Sequence, residues 1–128
     1  MRHESGEMEM QAVMQTAARM CAAARTAPKG LGAEKKLRGV PHCGYCGHEN
    51  CAGCQAAGSN CSLAYVDLGV AVSSAVTIAA ADRIDNRIMY SIGKAAVEMD
   101  FSSDVLWLGI PLSVSGKNIF FDRGIFHK

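Results

Sequence analysis

Apolar positions divide the chain into helices, a cysteine-rich loop and one strong strand. Met10, Val13, Met14, Ala17, Met20, Cys21 and Ala24 recur at helical intervals, which predicts an amphipathic helix over residues 7–29. Glu7 and Glu9 near its start and Arg25 and Lys29 near its end suit the helix dipole. Gly30 is a stop signal, and Pro28 fits a helix interior poorly, so the ordered part is expected to end near Arg25. Cys21 lies on the apolar face and reads as core packing. Residues 30–42 show no periodicity and read as a linker.

Beyond the cysteine loop, Asp67 is placed to cap a helix running to about Ala81, small and apolar nearly all round and therefore expected to be buried. Asp85 is placed to cap a third helix, with Ile88, Met89, Ile92, Ala95, Ala96 and Met99 on one apolar face. Val105 to Ile110 reads as a buried strand ended by Pro111. One strand cannot make a sheet, so others must come from weaker segments or from a partner chain. The pattern predicts an α+β fold over residues 1–128: buried helices packed on a small sheet, in a single domain with a metal loop inserted at residues 43–61.

Composition narrows the function classes. The net charge is +1, with one Trp, three Tyr and four Phe, so neither a basic stripe nor a stacking surface marks a nucleic-acid binder. The start carries no apolar secretory segment. The longest uncharged apolar stretch, Leu68 to Ala81, has 14 residues and is short for a membrane span. A cytoplasmic location is expected, where stable disulfides are rare. Five of the six cysteines fall within residues 43–61, so they point to metal.

Those five, Cys43, Cys46, Cys51, Cys54 and Cys61, are spaced C-x2-C-x4-C-x2-C-x6-C among Gly44, Gly47, Gly53 and Gly58. Iron–sulfur clusters need several thiolates converging on a small inorganic core, which close spacing and tight turns permit. Cys46, Cys51 and Cys54 match a plant-type run that takes its fourth ligand from elsewhere; Cys43, Cys46, Cys51 and Cys61 make an equally good set. Close spacing favours [4Fe–4S], while the plant-type run keeps [2Fe–2S] open. The main alternative is structural zinc on the two C-x2-C pairs, although a gap of four residues is tight for one tetrahedral ion. His42 and His48 flank the loop and read as bystanders, with His48 a substitute for one thiolate.

Other segments carry weaker signals. Ser113 to Asn118 lacks the first glycine and the hydroxyl residue of a phosphate loop, so an ordinary polar turn competes with one whose Lys117 meets a phosphate or flavin tail. Asp82 to Arg87 is either an anion-binding or dimer-contact corner or a solvated connection. Asp67 and Asp85 are better read as helix caps than as paired catalytic carboxylates.

Several blocks together carry a resemblance. Ala24-Arg25-Thr26-Ala27-Pro28-Lys29-Gly30, Cys43-Gly44-Tyr45-Cys46-Gly47, Asp67-Leu68-Gly69-Val70-Ala71 and Asp85-Asn86-Arg87 are followed by Ile110-Pro111-Leu112-Ser113, Gly116-Lys117-Asn118 and Phe121-Asp122-Arg123. In this order they resemble the prokaryotic family of ferredoxin domain-containing proteins. That family's label implies an iron–sulfur site and names no reaction. The resemblance implies Cys43, Cys46, Cys51 and Cys61 as the ligands, leaving Cys54 spare. Family members carry a few dozen more residues before the cysteine loop, where this chain has only Leu31 to His42. A weaker similarity links the Ala-Arg-x-Ala-Pro helix end, the small-residue helix and the strand ending in proline to FMN-dependent nitroreductases. That similarity implies an FMN-binding dimer, with Arg25, Lys29, Lys117 and Asn118 as candidate flavin contacts. The expected function is an iron–sulfur redox protein, as a homodimer with no nucleic acid or membrane partner; the alternatives are a structural zinc protein without catalysis and an FMN-dependent reductase.

Overall fold

The computed structural model describes residues 2–30, 46–102, 105–115 and 120. Four helices and two short strands follow in the order α1 (Arg2–Thr26), α2 (Cys51–Ala56), α3 (Ser62–Ala81), β1 (Asp85–Asn86), α4 (Tyr90–Glu98) and β2 (Leu112–Ser113). The architecture is α+β, with helices beside a small antiparallel sheet.

The long helices α1 and α3 pack together and bury the core. Met20 from α1 meets Ala75 and Ala79 from α3 and Ile84 just beyond it, with Ala24, Ile78, Ile110 and Leu112 at the margin. The small side chains of α3 let the two backbones approach, so that the Ser74 hydroxyl donates to the Ala23 carbonyl at 2.9 Å. The buried stripe of α1 runs through Thr16 and Met20, and Ala27 is buried just beyond the helix end. Cys21 sits one step off this stripe and is exposed, contrary to its expected place in the core; Met10 and Met14 are exposed as well.

A polar contact fastens the far end of the helix pair. Asp82, which follows the last turn of α3, accepts from the Thr16 hydroxyl at 2.8 Å and from the Arg19 guanidinium at 2.6 and 2.7 Å. The Thr16 hydrogen bond is the main cause holding the Asp82 carboxyl below the ordinary carboxylate range, with the bond and charge of Arg19 adding to it against partial desolvation. A carboxylate depressed on folding stabilises the protein above its unfolded pKa and loses that contribution as pH falls through its folded value. Acid titration of unfolding should therefore show stability falling below about pH 4. Asp82→Asn should flatten that limb and leave the curve above pH 6 parallel to wild type.

Three helices end by the same reversal. After α2, Gly58 is left-handed (φ 67°), with Gly58 N–H donating to Gln55 O and Ser59 N–H to Cys54 O. After α3, Arg83 takes this conformation (φ 59°), and Ile84 N–H returns to Ala79 O at 2.9 Å, which delivers Ile84 into the core. After α4, Asp100 does the same (φ 65°), and Phe101 N–H reaches Ala96 O.

The chain leaves the reversal at Arg83 as β1, pairing antiparallel with β2 (Asp85 opposite Ser113, Asn86 opposite Leu112). Asp85 is thus a strand residue that accepts from the Ser115 hydroxyl at 3.1 Å, and the third expected helix begins at Tyr90. The expected strand over Val105 to Ile110 reduces to one bridge, Met89 with Gly109, and the paired strand lies after Pro111. Val105 and Leu106 are exposed. Among the described residues, α4 lies against the 105–110 segment rather than against α1 or α3. A methyl group at Gly93 would overlap the Trp107 carbonyl, and one at Gly109 would overlap Ile92. Trp107 is also held by its indole N–H on Ser102 O at 2.7 Å and by an edge contact with Phe101.

Helix α3 starts at Ser62, five residues before the expected cap, and has 20 residues instead of about 14. By length and composition it could cross a membrane, and 17% of its most apolar window is buried. Asp67, Ala75 and Ala79 face inward while Tyr65 and Val66 are exposed, so its burial is one-sided where burial all round was expected.

Candidate metal centre

The described part of the cysteine loop is built around α2. Asn50 caps this helix in extended conformation, its Oδ1 accepting from Gly53 N–H at 2.8 Å. The sequence signal for α2 was Asn50 three residues before Gly53, hidden by the glycine-rich loop around it. Cys51 opens α2 and Cys54 follows one turn later, so the two share a face. Cys61 ends the loop as the cap residue of α3, with no side-chain cap bond of its own.

The four described loop cysteines differ in environment. Cys46, Cys51 and Cys61 are half-buried, and Cys54 is 4% exposed. Burial is the main cause that pushes the Cys54 thiol up, followed by a hydrogen bond with Cys46 and the charges of Cys46, Cys61 and Cys51. Cys54 also approaches Ser59 O at 3.5 Å. The four sulfurs therefore share one neighbourhood. Among the described residues, no group of three or more His, Cys, Asp or Glu stands in ligating geometry. The donor chemistry nonetheless fits a thiophilic centre: several soft sulfurs around one short helix, with Cys46, Cys51 and Cys61 near enough to raise Cys54.

The remaining candidates fall in three groups. Cys43, Lys117 and Asn118 lie outside the described residues, as does His42. Arg25 is exposed in the last turn of α1. Lys29 turns its ammonium back onto the end of that helix, donating to Ala24 O at 2.7 Å, Arg25 O at 3.0 Å and Ala27 O at 3.3 Å. This satisfies carbonyls that the helix end leaves unpaired. His48 is half-buried at the start of the described loop.

Asp67, expected as a cap, has a different place. It is buried inside α3, and its Oδ1 accepts from the Gly30 N–H at 2.9 Å. Gly30 is where the chain leaves the end of α1 toward the cysteine segment. Sequence periodicity gives no sign of this bond, which spans 37 residues.

Fold and cysteine set define a small α+β protein with a thiol-rich loop joined to its central helix. Residues 57–123 match the family described as "Uncharacterized protein containing a ferredoxin domain". The chain belongs to this family. Of the loop cysteines, only Cys61 falls inside the matched span. An uncharacterized protein of Archaeoglobus fulgidus is 40% identical over 90 residues, covering 64% of this chain and 49% of that relative. The chain thus spans about half the length of the curated relative it matches. No solved structure matches the chain.

Proposed function

We propose that this protein is a ferredoxin-type iron–sulfur protein in which Cys43, Cys46, Cys51 and Cys61 hold the cluster and Cys54 is the spare. The observation that carries the reading is the gathering of the loop thiols around α2 at the start of α3. Such a cluster, when bound, supplies one-electron redox chemistry. The close spacing favours [4Fe–4S] over [2Fe–2S].

The chain's own residues would act in distinct ways. Cys51 and Cys61 present their sulfurs from helix starts, which fixes their directions better than a free loop would. Asn50 holds the first turn of α2, and the reversal at Gly58 carries the chain from α2 toward Cys61. Cys54 is buried and turned toward Ser59 O at 3.5 Å. The setting proposed is the cytoplasm, where thiols stay reduced. The partly uncovered α3 supports a homodimer, in which a second copy would shield that apolar side.

Anaerobic purification, followed by iron, sulfide and zinc analysis and light scattering, tests this reading. The expected result is a brown protein with about four irons and four sulfides per chain, eluting as a dimer. Colourless protein with one zinc per chain and no iron would replace it with a structural zinc site.

A further inference from the structure

We infer that Asp67 is a positioning residue for the cysteine site, pinning the start of the cysteine-bearing segment to the helix that Cys61 begins. The inference rests on the iron–sulfur reading above. Asp67 is the sole charged residue among the 20 of α3 and is 8% exposed. A carboxylate inside an apolar helix is costly unless hydrogen-bonded, and a leucine there would pack at no such cost. One group it holds is the backbone N–H of Gly30, at 2.9 Å.

The topology gives that bond its consequence. Lys29 caps α1 through Ala24, Arg25 and Ala27, so the chain up to Lys29 is anchored to α1. Gly30 then begins the stretch that contains all five loop cysteines and ends at Cys61. Asp67 lies six residues beyond Cys61, about 9 Å of helix rise. The Gly30–Asp67 bond therefore brings the entrance of the stretch to the same helix as its exit. Holding both ends of a chain segment lowers the entropy cost of gathering ligands that lie within it.

The test compares wild type with Asp67→Ala, Asp67→Asn and Gly30→Pro after anaerobic reconstitution. The readouts are iron and sulfide per chain, the rate of bleaching by an iron chelator, and far-ultraviolet circular dichroism. Loss of a hydrogen bond to a charged acceptor predicts roughly tenfold faster bleaching in Asp67→Ala with unchanged helix content. Asp67→Asn, whose amide oxygen still accepts from Gly30, should stay within about twofold of wild type. Gly30→Pro removes the donor instead, should also bleach faster than wild type, and carries the test if Asp67→Ala does not fold. Equal bleaching rates in wild type and these variants overturn the role of Asp67 alone. Wild-type protein that takes up no iron overturns the iron–sulfur reading itself.

Discussion

Cys61→Ser should fold and should hold less than roughly a tenth of the wild-type iron after reconstitution. The two halves of this expectation come from one position. Cys61 caps α3 in an extended conformation (φ −64°, ψ 124°) without a side-chain bond to the first turn. Serine is among the preferred residues for that position, so the substitution removes a thiolate while giving the helix a better cap, worth about 0.5–1 kcal/mol. Thermal unfolding of the metal-free protein should show equal or higher stability, and iron analysis should show the loss. Cys54→Ser provides the contrast. Its hydroxyl can donate to Ser59 O as the thiol does, and the cluster should remain. Cluster loss in Cys54→Ser with retention in Cys43→Ser would move the fourth ligand from Cys43 to Cys54.

A second large effect is expected at Gly93. In an exposed helix interior, glycine to alanine gains up to about 1 kcal/mol from propensity. Here the added methyl would overlap the Trp107 carbonyl, and backbone atoms cannot turn aside as a long side chain can. The helix must lift off the 105–110 segment, at a cost of about 1–3 kcal/mol, so the steric effect wins over propensity. Chemical denaturation should show Gly93→Ala less stable than wild type by about that amount. Because the chain has one tryptophan, its fluorescence reports the same displacement directly. An unchanged emission spectrum with raised stability would contradict the close approach of α4 to Trp107.

Much of the helical framework was legible because it depends on local signals. The first helix and its stop before Pro28 followed from spacing, charge placement and proline. The cysteine spacing pointed to a metal, and family membership then fixed the ferredoxin label. The misreadings arise where a residue's local role loses to a distant partner. Asp67 looked like a cap because aspartate before an apolar run usually is one; the Gly30 amide draws it inward instead. Asp85 looked like a cap for the same reason, yet the left-handed Arg83 turns the chain into a strand before the next helix can start. Val105 to Ile110 had the composition of a buried strand, but Trp107 and Gly109 pack against α4, and Gly109 alone bridges. Cys21 shows how narrow a helical stripe is: its neighbour Met20 is in the core, and one residue of rotation leaves Cys21 in solvent.

The left-handed reversals after α2, α3 and α4 have a consequence for mutational latitude. Glycine at position 58 adopts that shape without strain, whereas Arg83 and Asp100 hold it at about 1 kcal/mol each. At the latter two sites the neighbours impose the backbone path, Ile84 through the core and Phe101 through Trp107. Their own side chains are therefore free to drift between lineages, since most replacements inherit a strain already present. At position 58 the next residue, Ser59, is exposed and held through Cys54 rather than packed in the core, so there the turn leans more on glycine's own freedom.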